Sequence, residues 1–280
     1  SFNGNTGDIA IENMVCGNSI LTKGTFSLKN TESRFVSLVL TMDNFSSDDF
    51  FPQIPLRAFT IPIIYEGSFI STINSDISVN MKQFTVGAIQ GNTLSMRGSF
   101  RNRKMSISEL RANIFNGNFN FNGSIDFSAP SATLTGGGKL NKIKGGLLLS
   151  AFGDTSGIFE SRISLFGNVG SQGNDIQTLR SNLNGTLTFY SRNGVIKRWN
   201  LLSKILGILN VTDLIKGKIN FGQEGLSYTR MGANFTAKHG VFHTNDLVID
   251  SPSMLLHGTG NVDISTNTID GSITVSPLVA

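Results

Sequence analysis

The residues best suited to chemistry in this chain are three histidines near its C-terminal end. His239 and His243 are four residues apart, which puts them on one face of a strand, and His257 lies nearby in the sequence. Three imidazoles could bind zinc, but no carboxylate or cysteine accompanies them at a ligand-like spacing. We therefore interpret these histidines as surface or structural residues and predict no metal site.

Two further motifs resemble nucleotide-binding or catalytic sites but lack an essential group. The run Gly136-Gly137-Gly138-Lys139 is followed by Leu140, where a phosphate loop needs Ser or Thr for magnesium. We predict a turn at this glycine run. The paired carboxylates Asp48 and Asp49 have no histidine or other base beside them in the sequence. The sequence thus predicts a protein that is not an enzyme and needs no cofactor.

The composition favours many short strands joined by tight turns. The 280 residues include 31 glycines, and only 15% are Asp, Glu, Lys or Arg. The formal net charge of +4 is mild, and basic residues such as Arg97, Arg101 and Arg111 are interpreted as a solvated sheet face. We expect no nucleic-acid partner, because a binder would carry a larger basic excess with aromatics beside it. Cys16 is the only cysteine, so no internal disulfide is expected.

A five-residue pattern of glycine, polar, apolar, polar and apolar recurs along the chain and carries the main structural prediction. Side chains alternate between the faces of a strand, so each copy presents its apolar residues on one side. Glycine at the head of each copy suits a turn or bulge. The copies are 24–28, 117–121, 123–127, 185–189, 217–221, 260–264 and 271–275.

Two stretches depart from this period-two pattern and predict helices. Over 196–211, apolar residues fall three and four apart, which is the spacing of one helix face. Its apolar stripe predicts a helix that caps part of the apolar sheet face through Trp199, Leu202, Leu206 and Leu209. The stretch 144–153 also allows a short helix, and the prolines at 52, 55 and 62 predict a loop or sheet edge over 50–62.

These patterns predict a mainly β fold: a long, twisted, antiparallel sheet that curls into a half-pipe or groove. We divide the chain into β-groove strands at 1–135 and a C-terminal region at 136–280, both expected to belong to one continuous sheet. Because the sequence opens with Ser-Phe-Asn-Gly in the middle of a strand pattern, we expect it to be a fragment of a longer chain.

Several motifs follow one another in a defined order from about residue 105 onward. The stretch 180–280 has the strand Leu183–Phe189, the turn Asn193-Gly194-Val195-Ile196 and then the predicted helix, and it closes with Gly258-Thr259-Gly260-Asn261-Val262-Asp263-Ile264 and Val275-Ser276-Pro277. This order resembles the C-terminal domain of the AsmA-like family, most strongly over 180–280. Residues 1–100 share only the general strand pattern with this family and none of its specific motifs.

The resemblance implies a function and a location. AsmA-like proteins are groove-forming proteins of the Gram-negative periplasm that are tethered to the inner membrane by an N-terminal helix. They are linked to phospholipid movement between the inner and outer membranes. We therefore expect phospholipid and membranes as partners, an inner-membrane anchor in the full-length protein, and a role in building the outer membrane. Self-association end to end, through pairing of terminal strands, is a further expectation.

The expected lipid-binding residues are the inward apolar ones on the groove floor. They are Phe119, Phe121, Ile125, Phe127, Leu187, Phe189, Ile219, Phe221, Val262, Ile264, Ile273 and Val275. Two alternatives remain open at this point. The strands could close into a β-sandwich that serves as a scaffold or adhesion module, or the protein could assist the assembly of outer-membrane proteins. In a closed sandwich the same residues would be ordinary core.

Overall fold

A computed structural model of the chain describes residues 2–3, 6–30, 34–50, 73–151, 159–197 and 225–277. The described part is built almost entirely of strands, which confirms the predicted mainly β fold with an antiparallel-dominated sheet. It forms two compact units, one of residues 1–139 with 168–182 and the other of residues 140–167 with 183–280. The boundary predicted between 135 and 136 falls inside a strand.

Unit 1 contains the first eight strands and part of the ninth. These are β1 (Phe2–Asn3), β2 (Thr6–Cys16), β3 (Ser19–Asn30), β4 (Arg34–Ser46), β5 (Ile73–Val86), β6 (Ile89–Arg101), β7 (Lys104–Ile114), β8 (Gly117–Asp126) and the start of β9 (Thr133–Lys144). A single 3₁₀ turn, Ser47–Asp49, follows β4. The end of β10 (Phe159–Gln172) and helix α2 (Ile176–Ser181) also belong to this unit.

Unit 2 contains the end of β9, the start of β10 and all later strands. These are β11 (Asn184–Ile196), β12 (Leu226–Lys238), β13 (Val241–Ser251), β14 (Met254–Asp263) and β15 (Thr268–Pro277). Helix α1 (Gly145–Ala151) lies between β9 and β10. Within each unit, strands that are neighbours in the sequence are hydrogen-bonded neighbours in the sheet.

One strand pair departs from the antiparallel prediction. Strand β5 runs parallel to β4, with Leu38 opposite Ile77 and Leu40 opposite Val79. A parallel pair needs a long connection, because the chain must return to the end of the sheet from which it started. Residues 47–72 connect the two strands, and the structure describes only 47–50 of them, so most of the predicted 50–62 loop lies outside the described residues.

The prediction of a turn at Gly136-Gly137-Gly138 is wrong, because these residues lie inside β9. The reason is found on the neighbouring strand. A Cβ atom at Gly136 would lie 2.9 Å from the ring of Phe121, and one at Gly138 would lie 3.4 Å from it. Glycine is therefore needed at these positions to make room for a phenylalanine ring on the sheet surface. The chain makes no tight turn there.

The helix predictions have mixed outcomes. The short helix allowed at 144–153 is present as α1, Gly145–Ala151. Ile196 ends strand β11, and the rest of the predicted 196–211 helix, with Trp199, Leu202, Leu206 and Leu209, lies outside the described residues apart from Lys197. Helix α2 was not predicted, since its six residues are too few to show a periodic stripe. Its one sequence signal is Asp175, whose side chain accepts a hydrogen bond from the Thr178 N–H at the helix start.

Candidate binding surface

The predicted floor residues of unit 1 share one face of the sheet. Residues directly opposite each other on paired strands point to the same side. Phe119 lies opposite Ala112, Phe121 opposite Leu110 and Ile125 opposite Met105. The same face continues across the earlier strands through Met96, Val79, Leu40, Gly24 and Ile11. Unit 1 therefore has one apolar face, which we call the unit 1 face.

The aromatic side chains of β8 lie over glycine positions, where no side chain competes for the space. The rings of Phe119 and Phe121 stack with centroids 6.3 Å apart. The Phe121 ring covers Gly123 on its own strand and Gly136 on β9, where a Cβ would approach it to within 2.7 Å and 2.9 Å. The two rings thus form a broad, flat apolar surface on β8 and β9.

Most of the unit 1 face is only half buried. Phe119, Phe121 and Ile125 are of intermediate exposure. Toward β2 the face opens further, with Ile9 44% and Phe26 36% exposed. A closed β-sandwich buries such residues between two sheets. These side chains retain contact with solvent, so the face has apolar area to offer to a ligand.

At one end of the strands the unit 1 face is closed by a small core. Phe127 and Ala132 are buried there, and Phe100, Ile125 and Leu179 pack against them. Leu179 belongs to helix α2, which Asn174 connects to this corner by accepting a hydrogen bond from the Ala132 N–H at 2.9 Å. Phe127, which directly follows β8, is therefore a buried core residue, unlike the predicted floor residues within β8.

Unit 2 repeats the arrangement on its own strands. Leu187 lies opposite Phe235 and Phe189 opposite Ala233 on the β11–β12 pair. On the β14–β15 pair, Ile273 lies opposite Gly258 and Val275 opposite Leu256. Val262 and Ile269 face each other at the other end of this pair. Leu187, Phe189, Val262, Ile273 and Val275 thus share one apolar face, the unit 2 face, and all are half buried.

One end of the unit 2 face is a true core. Met254 and Leu256 are only 1% exposed, and Ile196, Tyr228 and Ile249 are buried with them. Phe189, Ile273 and Val275 pack against this cluster. These three side chains therefore combine a structural contact with a partly open surface.

Of the remaining three predicted floor residues, one lies in a turn and two fall outside the described residues. Ile264 comes just after β14, in the turn that leads to β15, and its N–H donates to the Gly240 carbonyl. Ile219 and Phe221 fall outside the described residues. Sequence reasoning also missed the apolar residues of β2 to β4, among them Ile9, Phe26 and Leu40. The period-two alternation that identified β8 is present in those strands as well and could have found them.

The opposite face of both units is polar. Across β6, β7 and β8 of unit 1, the amide of Asn113 donates to Asn92 at 3.0 Å and accepts from Asn118 at 2.9 Å. In unit 2, Asp246 accepts hydrogen bonds from the side chain and the N–H of Asn234. These bonds hold the pKa of the Asp246 carboxyl below its ordinary value. Hydroxyl, amide and charged groups cover most of this side, which also carries a few apolar or aromatic side chains such as Val39 and Tyr190.

The three histidines lie at the surface of unit 2. His239 is in the turn after β12, and His243 and His257 lie on β13 and β14. The His243 ring is 2.9 Å from the side-chain oxygen of Asn261. Among the residues that the structure describes, no three His, Cys, Asp or Glu side chains come together as a metal-binding group. In the same part of the chain, no helix is both long and apolar enough to cross a membrane.

In each unit, consecutive strands form a sheet with one apolar, half-buried face. The resemblance to AsmA-like proteins implies a mainly β architecture of this kind. The sequence profile of the YhdP protein family, which is AsmA-like, matches residues 66–280, and the chain belongs to this family. The family is associated with the cell envelope and with lipid transport. No curated protein and no solved structure shows significant similarity to the chain.

Proposed function

We propose that this protein binds the acyl chains of phospholipids on its apolar faces and carries them between the inner and outer membranes. It does so without catalysing a reaction. Membership of an envelope-associated, lipid-transport-related family supports this proposal. We further propose that the protein works in the periplasm, that the full-length chain is tethered to the inner membrane, and that each sheet curls so that its apolar face lines a groove.

The observation that carries the proposal is the half-open apolar face of each unit. Phe121 and Phe189 keep contact with solvent although each lies in a row of apolar neighbours. A contiguous apolar surface exposed to water is an aggregation hazard unless a ligand or partner covers it. An acyl chain is a suitable cover, because it is apolar along its whole length and can lie across several strands.

The energetics favour such a surface as a transport path. Each methylene group that leaves water contributes about 0.8 kcal/mol. A sixteen-carbon chain alone in water would therefore lie about 12 kcal/mol above its membrane-bound state. An apolar sheet face removes most of this barrier while the headgroup remains in solvent. No side chain needs to react, which agrees with the absence of a catalytic motif in the sequence.

Photo-crosslinking at paired positions of β8 tests the proposal directly. We expect p-benzoylphenylalanine in place of Phe121 to crosslink to phospholipid when the protein is purified from cells or incubated with vesicles. The matched control carries the same probe in place of Asn120, the adjacent residue on the polar face. Mass spectrometry of the adducts identifies what has been bound.

The outcomes separate the alternatives. Lipid adducts at position 121 and none at 120 support binding on the apolar face. Equal labelling at both positions would indicate non-specific adsorption and contradict the proposal. Adducts with outer-membrane proteins in place of lipid would support the assembly-factor alternative.

A further inference from the structure

The polar face of unit 1 contains an open depression of about 330 Å³ that crosses β4, β5, β6 and β7. Its lining includes Ser37, Ser78, Ser99, Arg97 and Arg101. The strand register places these residues on the side opposite the unit 1 face. Ser37 lies opposite Asp76, Asp76 opposite Ser99 and Ser78 opposite Arg97, whereas the apolar residues Leu38, Ile77 and Met96 alternate with them.

The depression forms because short serine side chains lie next to the long side chains of two arginines. The lining has four serines, Ser108 of β7 being the fourth, and their short side chains leave the middle of the site unfilled, whereas the Arg97 and Arg101 side chains border it. Serine hydroxyls can donate hydrogen bonds, and each guanidinium offers five N–H donors and no acceptor. The site therefore offers several donors to an oxyanion, and its lining also contains the Asp76 carboxylate and the apolar side chain of Val39.

Arg101 is held in place while keeping donors free. One of its terminal nitrogens is 2.7 Å from a carboxylate oxygen of Asp76, and its guanidinium carbon lies 6.0 Å from the centroid of the Phe35 ring. The Asp76 contact uses one terminal nitrogen, so other N–H groups can reach a ligand. An arginine that is already restrained by an ion pair loses less freedom on binding an anion than a free one does.

The Arg97 guanidinium has no ion-pair partner among the residues that the structure describes. Glu109 is directly opposite Arg97 on β7 but forms its ion pair with Arg111. The charges lining the depression are therefore those of Arg97 and Arg101 against Asp76, which leaves one positive charge in excess.

We propose that this depression binds a phosphate-sized oxyanion carried by a phosphomonoester or phosphodiester. Arginine matches phosphate oxygens with two parallel hydrogen bonds, and the serine hydroxyls would complete the coordination. The open volume leaves room for a small polar substituent on the phosphate. This site lies on the opposite side of the sheet from the proposed acyl-chain surface, and its existence does not depend on the lipid-transport proposal.

Calorimetric titration of the whole chain with three probes tests the site. The probes are inorganic phosphate, glycerol 3-phosphate and glycerophosphoethanolamine, with sodium chloride at matched ionic strength as the reference. We expect saturable binding that Arg97→Gln weakens about tenfold, the loss of one charge-assisted pair. The control Arg230→Gln, an exposed arginine in unit 2, should leave the affinity unchanged.

A second variant tests the contribution of the cavity volume separately from that of the arginine charges. Ser99→Leu retains both arginines but fills the middle of the depression, so it should exclude the two esters more strongly than inorganic phosphate. Tighter binding of glycerophosphoethanolamine would identify a lipid headgroup as the source, and tighter binding of glycerol 3-phosphate a soluble phosphate ester. Non-saturable binding, equal binding by Arg97→Gln, or no effect of Ser99→Leu on the esters would overturn the proposal.

Discussion

Alanine substitutions at two glycines of β10 test how closely this strand approaches its neighbours. A Cβ atom at Gly167 would collide with the Thr186 carbonyl oxygen on β11, whereas one at Gly170 would lie 3.6 Å from the Leu134 carbonyl oxygen, an ordinary contact. We expect Gly167→Ala to lower the free energy of unfolding by roughly 1–3 kcal/mol, because the strands must separate. Gly170→Ala should change it by no more than about 0.5 kcal/mol.

Urea denaturation of both variants measures this difference. The pair is matched in residue type, substitution and strand. Equal stability of the two variants would show that the sheet absorbs a methyl group at Gly167 without strain, and would contradict the predicted close approach.

Asp263 offers a pH-dependent test at the turn between β14 and β15. The Ser265 hydroxyl donates to its carboxylate at 2.6 Å, and the N–H groups of Ser265 and Thr266 donate at 2.8 and 3.2 Å. These hydrogen bonds lower the pKa of Asp263 from 3.8 to about 2. Because the folded-state pKa is depressed, the turn is stabilised above pH 3.8 and loses this contribution as the pH falls to about 2.

We expect Ser265→Ala to raise the pKa of Asp263 toward its ordinary value, since the strongest hydrogen bond is removed. Thr259→Ala is the control, because the Thr259 hydroxyl bonds to Ser272 on the same pair of strands and is not one of the groups that lower the Asp263 pKa. Carbon-detected NMR titration of the Asp263 carboxyl gives both values. An unchanged pKa in Ser265→Ala would show that the backbone N–H groups and the Thr266 side chain hold the carboxylate without the Ser265 hydroxyl.

Asn174, which lies just before the N-cap of helix α2, connects this short helix to the neighbouring corner of the sheet by two hydrogen bonds. The Asn174 side-chain oxygen accepts from the Ala132 N–H at 2.9 Å, and its nitrogen donates to the Pro130 carbonyl at 2.7 Å. Ala132 is only 3% exposed, so its N–H has little access to water. Asn174→Ala should therefore lower the free energy of unfolding by about 1–3 kcal/mol, the usual effect of leaving a buried donor without a partner.

Asn174→Asp is the informative companion variant. Its carboxylate can still accept from Ala132 but cannot donate to Pro130, so we expect a smaller loss of stability than for alanine. Chemical denaturation compares the two. If aspartate is as destabilising as alanine, the lost Pro130 bond and the repulsion between the carboxylate and the Pro130 carbonyl together outweigh the retained Ala132 bond.

For the molecule as a whole, the proposed function predicts that each unit contributes its own lipid-binding surface. Phe121 belongs to unit 1 and Phe189 to unit 2, and both are half buried. A carboxylate at either position would repel an acyl chain, because burying an unpaired charge costs several kcal/mol. We expect Phe121→Asp and Phe189→Asp each to reduce the bound phospholipid, and the double variant to abolish binding.

Quantitative mass spectrometry of organic extracts measures the bound lipid, and a thermal melt checks that each variant is folded. The variants Asn120→Asp and Thr188→Asp place the same charge on the polar faces of the same strands and should bind lipid normally. Full lipid binding by the double variant would exclude these faces as the binding surface. Loss of the cooperative melt in the double variant would mean instead that the two phenylalanines are closed core.

The alternation of apolar and polar residues determined much of this protein from the sequence alone. Side chains on a strand must alternate, so Phe119, Phe121 and Ile125 had to share a face wherever the strand was placed. Glycine- and polar-rich stretches likewise predicted the mainly β class, which the structure confirms. This information is local, since it depends only on backbone geometry within one strand.

Local sequence patterns did not predict which strands pair or in which register. The parallel β4–β5 pair, the position of Gly136 and Gly138 within a strand beneath the Phe121 ring, and the anchoring of α2 by Asn174 all depend on residues distant in the sequence. The depression bordered by Arg97 and Arg101 requires four strands to be in register before it exists. Period-two alternation assigns each side chain to a face, but only long-range hydrogen bonding selects the neighbours on that face.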